Sequence, residues 1–272
     1  MNSRRYPTRS YLRLHAAAAI IGTVASWLTF GSIPAAQAAV LQVSPVRLHF
    51  EPVQSAQALQ VFNSGQNGLE AQVRVMRWTQ ENGEDRLTPA KELVASPAIM
   101  RVAPGERQTV RIVRLDPSPS PDEQTYRILI DELPPKESPK GVELKVLLRY
   151  SIPVFIAASS TKNSDSSNEE QAPLKTDISL VCAKLAPRKD GAAELRVSNR
   201  TPQSLRISSL SAISANGQTQ VLEDGLLGYV LPGKQMEWAI KSPAQLTAGL
   251  TLKARFNDDT DTQAVPLEGT CR

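Results

Sequence analysis

Histidine is nearly absent from this chain of 272 residues: there are two, and only His49 lies beyond residue 38. A metal site built from several imidazoles is excluded there, and any Ser-His-Asp system would depend on that one side chain. Also missing are GxSxG, a phosphate-cradling glycine loop and HExxH, so hydrolytic and nucleotide chemistry lack their usual frameworks. No cofactor and no enzymatic activity are expected. No segment after residue 38 is long and apolar enough to span a bilayer, so stable membrane insertion is not expected. Excess charge is missing too. The formal +4 comes from 31 basic and 27 acidic residues, but Arg4, Arg5, Arg9 and Arg13 fall in the first 38 residues, which contain no acid. Without those four the balance is 27 to 27. The positive formal charge is therefore no sign of a nucleic-acid partner, and none is expected.

The first 38 residues read as a secretory signal peptide. Four arginines precede a largely apolar stretch, 16–33, and Ala36-Gln37-Ala38 is a small-residue cleavage site. Tyr6-Pro7-Thr8 follows Arg4-Arg5 where a twin-arginine signal would be apolar, so ordinary unfolded export is expected. The mature chain then starts at Ala39 and faces an oxidising compartment. Its two cysteines, Cys182 and Cys271, make an even pair that predicts one disulfide; two free buried thiols are the alternative.

From residue 40 to 158, short apolar-alternating runs are separated by turn signals. Strands are expected at 40–50, 58–63, 71–79, 99–102, 108–114, 126–133 and 142–156, with breaks at Ser64-Gly65, Asn82-Gly83, Pro104-Gly105 and two proline-rich stretches. Seven strands at this spacing suggest an immunoglobulin-type sandwich. Residues 159–172 lack large apolar side chains and read as a linker. The alternation resumes at 174–186, 193–198, 204–215, 219–222, 228–231, 235–240 and 250–256. The expected organisation is a signal peptide at 1–38, an N-terminal β-domain at 39–158, a linker at 159–172 and a C-terminal β-domain at 173–272.

Residues 141–159 carry the most information. Leu144, Val146, Leu148, Tyr150 and Ile152 recur at the spacing of one strand face, while Lys145, Arg149 and Ser151 take the other. Such a strand is either an ordinary half-buried member of a sandwich or one that adds itself to a second protein's sheet. His49 is expected as a surface-facing strand histidine. The adjacent acids Asp131 and Glu132 point to opposite faces of a strand and make a poor acid–base pair. Asp258, Asp259 and Asp261 read as an acidic turn. Arg47, Arg127 and Arg149 lie in apolar strands; they either face solvent or converge on an anion site, where a guanidinium clasps a carboxylate through two parallel hydrogen bonds.

Five stretches in order give a resemblance. SPVRLHFEP at 44–52, ELVASPAIMRVAPGERQTVRIVR at 92–114, TYRILIDELPP at 125–135, VSNRTPQSLRISSL at 197–210 and YVLPGKQMEW at 229–238 resemble the PapD-like periplasmic pilus chaperones of chaperone–usher systems. The resemblance implies an all-β fold: two immunoglobulin-like sandwiches in an L- or boomerang-shaped arrangement. It also implies a nucleotide-independent periplasmic chaperone that binds a pilus or fimbrial subunit by donor-strand complementation and delivers it to an outer-membrane usher. Leu144, Val146, Leu148, Tyr150 and Ile152 would be the donor row, and self-association of the free chain would hide it. One position departs from the pattern. Better-known members carry lysine before the apolar-aromatic pair of this strand, where Pro153 precedes Val154-Phe155 here. RWTQ at 77–80 and LLRYSIPVF at 147–155 are more similar to the archaic, spore-coat-U-associated branch. By that resemblance Arg127 and Arg149, then Arg47, anchor the subunit's C-terminal carboxylate. A secreted structural or adhesive sandwich protein is the alternative.

Overall fold

The computed structural model describes residues 41–134, 146–159, 176–188, 192–240 and 250–267, all within a compact unit spanning Ala39–Arg272. Among the described residues the regular structure is entirely β. The first ten strands are β1 (Leu41–Ser44), β2 (Leu48–Phe50), β3 (Ala56–Asn63), β4 (Leu69–Glu81), β5 (Glu84–Pro89), β6 (Leu93–Ser96), β7 (Ile99–Val102), β8 (Arg107–Arg114), β9 (Gln124–Leu133) and β10 (Arg149–Ile156). They form one sheet in the order β1-β3-β8-β6 and a second in the order β2-β10-β9-β4-β5, with β7 also paired to β4. Side chains alternating inward from both sheets close a core that includes Leu41, Leu48, Leu59, Val73, Val110, Tyr126, Ile128 and Val154.

The expected strand at 40–50 is divided. β1 pairs with β3 in one sheet and β2 with β10 in the other, and a cis Ser44–Pro45 peptide lies between them. β5 has no apolar alternation, because all six of its residues are exposed. Backbone pairing to β4, through a turn with Asn82 and Gly83 at positive φ, sets it in place. Burial along β4 changes face. Leu69, Ala71 and Val73 face the core at odd positions, whereas Trp78 and Gln80 are buried at even ones. The even face of its second half is covered by the second sandwich.

That sandwich comprises β11 (Val181–Pro187), β12 (Ala193–Asn199), β13 (Leu205–Ile213), β14 (Thr219–Val230), β15 (Gln235–Ile240), β16 (Thr251–Phe256) and β17 (Gln263–Ala264). Its sheets run β11-β12-β15 and β14-β13-β16-β17 around a core containing Leu195, Val197, Leu205, Ile207, Leu210, Leu252 and Phe256. The expected strands at 219–222 and 228–231 are one strand, β14, because shifts in its register with β13 hide the continuity. Both sandwiches fix a turn with a buried asparagine. The Asn63 amide donates to the Asn67 and Val102 carbonyls at 2.8 and 2.9 Å, and the Asn199 amide to those of Gln203 and Val230 at the same distances.

Cys182 is disulfide-bonded. Cys271 lies outside the described residues, but β11 does meet the C-terminal segment, since the Ala183 amide donates to the Pro266 carbonyl at 2.8 Å.

Candidate functional site

β10 is the strand on which the site turns. It pairs along its whole length with β9, Arg149 opposite Asp131 through Ile156 opposite Gln124. The Glu132 amide donates to the Leu148 carbonyl at 2.9 Å, so even-numbered residues of this strand direct their backbone groups at β9. Odd-numbered residues direct theirs the other way, as when the Ala157 amide reaches the Phe50 carbonyl at 2.9 Å. On that side β2 covers only Val154–Ile156. From Arg149 to Ile152, no strand among the described residues lies against this edge. Leu147, Arg149 and Ser151 therefore offer outward amides and carbonyls, while the Pro153 carbonyl is taken up by the pairing with Leu48.

The expected donor row is not uniform. Val146 is 68% exposed. Leu148 and Tyr150 are half-buried against the protein's own core, and the Tyr150 hydroxyl donates to the Leu41 carbonyl at 2.7 Å. Ile152 is a correction to the sequence reading: at 2% exposure it belongs to the first sandwich's core, where its side of β10 faces the interior between the two sheets. Leu144 lies outside the described residues.

The arginines share a face but not a pocket. Arg127 stands opposite Pro153 on the β9 side. Leu48 pairs with Val154, so Arg47, one residue earlier, stands beside Pro153 on the β2 side. Two cations thus flank the position where the resemblance leads one to look for lysine. Arg149 is four residues from Pro153, about 13 Å along the strand. There it binds Asp131, which also accepts from Arg74 at 2.7 Å. Burial pushes the Asp131 carboxyl up, but hydrogen bonds from Arg149 and Arg74 outweigh it and hold the pKa below the usual carboxylate value.

Each flanking arginine has a different environment. The Arg127 guanidinium lies over the Trp78 ring at 3.7 Å and over the Tyr229 ring at 5.4 Å, with Asp85 at 3.9 Å. Arg47 reaches Asp258 of the second sandwich at 2.5 Å. Asp258 is also 3.6 Å from Arg206, and the Arg47 hydrogen bond leads in holding its pKa down. This pair lies at a cleft of about 580 Å³ between the sandwiches, lined also by His49, Glu123, Phe155 and Tyr229. His49 keeps an exposed position and packs edge-on against Phe155, with centroids 5.6 Å apart.

Sequence reasoning missed what joins the sandwiches. Trp78, Phe155, Tyr229 and Leu231 form a separate buried cluster, with Trp78 and Tyr229 nearly perpendicular at 5.6 Å. Gln80 is 2% exposed. Its side-chain oxygen accepts from the Leu231 amide at 2.8 Å and its nitrogen donates to the Tyr229 carbonyl at 2.9 Å. Glu123 accepts from the Ser204 amide at 2.9 Å and from its hydroxyl. The signal was a break in parity: Trp78 and Gln80 have the wrong spacing for the core that Val73 faces. The acidic turn holds no cation-like arrangement. Asp258 is ion-paired, and Asp259 accepts from Thr176 and Gln263. Among the described residues no group of histidine, cysteine and acids is placed to hold a metal.

The comparisons with known proteins agree with this architecture. Residues 40–162 match the family model described as pili and flagellar-assembly chaperone, PapD N-terminal domain. No curated protein matches the sequence. Among solved structures, the CsuC–CsuE chaperone–tip adhesion subunit pre-assembly complex from the archaic chaperone–usher Csu pili of Acinetobacter baumannii matches at 24% identity. It covers 84% of this chain and 98% of that one, with a TM-score of 0.61. The Pseudomonas aeruginosa CupB2 chaperone matches at 19% identity, with coverage of 83% and 100% and a TM-score of 0.54. The Salmonella enterica SafA pilin in complex with the SafB chaperone matches at 15% identity, with coverage of 86% and 99% and a TM-score of 0.54. These likenesses establish the two-sandwich fold. Residues 40–162, the first sandwich, thus match the PapD N-terminal domain model, and both sandwiches share the fold of these solved structures.

Proposed function

We propose that this protein is a periplasmic chaperone, working without nucleotide or cofactor, that stabilises a pilus or fimbrial subunit by donor-strand complementation and delivers it to an outer-membrane usher. The observation that carries this reading is the open edge of β10 from Arg149 to Ile152, beside a half-exposed apolar row. The Csu and Saf relatives are complexes of a chaperone with a tip adhesion subunit and with a pilin, and a partner of that class suits such an edge. A subunit strand laid along it would bond to the backbone of Leu147, Arg149 and Ser151, each hydrogen bond contributing about 1 kcal/mol net. Val146, Leu148 and Tyr150 would complete their burial in the subunit's groove, at less than the roughly 1.5–3 kcal/mol of a fully exposed side chain, since two are already half covered. Leu144 would extend the row.

The subunit's terminal carboxylate would dock at the rung where Arg47 and Arg127 flank Pro153. Its main effect would be on register, because a slip of one residue turns the apolar row to the wrong face. Arg149, a leading candidate by resemblance, has Asp131 as its partner and acts in this reading on the β9–β10 ladder.

Co-expression of residues 39–272 with the pilin-like products of neighbouring genes, followed by size exclusion, tests the assignment. A soluble one-to-one complex is expected. A chain that polymerises alone would point instead to a structural or adhesive subunit.

A further inference from the structure

We infer that Asp258 is an internal stand-in for the subunit's terminal carboxylate, holding Arg47 until the subunit displaces it. This rests on the reading of Arg47 as an anchor. Arg47 belongs to the first sandwich and Asp258 to the loop after β16 in the second, so the 2.5 Å contact is made across the cleft. A guanidinium whose side chain is only 33% exposed is costly to leave unpaired. Asp258 supplies the same chemical group that a chain terminus would.

The charge of the cleft favours exchange over addition. Its lining holds two guanidiniums, Arg47 and Arg206, against four carboxylates, Glu123, Asp177, Asp258 and Asp259. Three of those acids accept hydrogen bonds from neutral donors: Glu123 from Ser204, Asp177 from the Ser179 amide and Asp259 from Thr176 and Gln263. Asp258 is the one paired to arginine. A further carboxylate brought beside it would meet repulsion, whereas one that replaces it at Arg47 leaves the local charge near Arg47 unchanged. Arg206 is placed to receive the released group, since its Nη1 is already 3.6 Å from the other Asp258 oxygen. The side chain of Asp258 is 65% exposed, which gives it room to turn. Arg47 thereby stays oriented in the free chain. Specificity for a chain end at Arg47 comes from a competition between carboxylates, so the net gain in affinity there is smaller than an unpaired guanidinium would give.

The test uses residues 39–272 and two probes. The first is a synthetic peptide of alternating valine and threonine, made with a free C-terminal acid and as the amide, with binding read by calorimetry. The second is acetate, read on the ¹⁵N resonance of the Arg47 side chain, which does not depend on strand pairing. In Asp258→Asn, the acid peptide should bind about tenfold tighter, a change of about 1.4 kcal/mol, the amide should be unchanged, and acetate should saturate Arg47 at lower concentration. Arg206→Ala should weaken the acid peptide only while Asp258 is present. If Asp258→Asn leaves both probes unchanged, or weakens them, while Arg47→Ala abolishes the preference for acid, the stand-in role is wrong and the anchor survives. If acid and amide peptides bind alike, Arg47→Ala changes neither, and acetate leaves the Arg47 resonance of the unsubstituted chain unmoved, the anchor itself is wrong and the stand-in falls with it.

Discussion

Arg127 lies directly across the β9–β10 ladder from Pro153. That relationship supplies a cation to a strand position that cannot carry one, and Arg47 on the β2 side supplies another. The joint variant Arg47→Ala with Arg127→Ala is expected to stay folded and lose subunit capture by at least about a hundredfold, from a loss of roughly 3 kcal/mol in desolvated charge contacts. Arg149→Ala is expected to have a much smaller effect, because its guanidinium is engaged with Asp131. Co-purification and titration of the subunit measure both.

The donor row predicts opposite outcomes at neighbouring even positions. Val146→Asp with Leu148→Asp should block capture while leaving the far-ultraviolet dichroism intact, since Val146 is 68% exposed and Leu148 sits at the margin of the core. Ile152→Ala should instead cost about 2–5 kcal/mol in chemical denaturation, because it opens a cavity in the first sandwich. Full protection of the subunit from protease by the double aspartate variant would refute the donor assignment.

The junction of the sandwiches depends on Gln80. In Gln80→Ala the Leu231 amide and Tyr229 carbonyl lose their partners in a buried place, at a cost of about 1–3 kcal/mol for each unsatisfied group. Small-angle scattering should show a broader distribution of interdomain geometries, and denaturation should become less cooperative.

Acid stability should divide between two glutamates with opposite signs. Burial pushes the Glu92 carboxyl up, but hydrogen bonds from the Lys91 amide, the Tyr126 hydroxyl and Arg77 outweigh it and bring the pKa to about 2. The unfolded chain therefore takes up this proton first, and Glu92 contributes stability above its ordinary value of 4.5 that is lost as pH falls towards about 2. Burial leads in raising the Glu123 pKa, with the Ser204 contacts opposing it. The folded state holds that proton more tightly, so the Glu123 contribution is present below 4.5 and is lost as pH rises through its folded value. Denaturation as a function of pH should show Glu92→Gln flattening the acid limb and Glu123→Gln removing the opposite slope.

Much of the site was legible one strand at a time. The alternation in 142–156 placed Arg149 on the face of Pro153, opposite the apolar row, because side-chain direction in a strand is a local property. β7 and β15 fell at their expected residues for the same reason. Ile152 was misassigned because periodicity shows that a face is apolar without showing what covers it. β5 was missed because its six residues are all exposed and only backbone pairing holds it.

The amino-acid sequence by itself determined the β architecture, the tandem of sandwiches and the set of arginines, because alternation, turn residues and charge placement act over a few neighbours. Tertiary structure alone decided the rest. Parallel pairing of β2 with β10 brings Arg47 beside Pro153 across 106 positions of chain, and the packing of Tyr229 on Trp78 brings Asp258 within reach of Arg47. Such long-range contacts depend on the summed register of several strands, which no local pattern encodes.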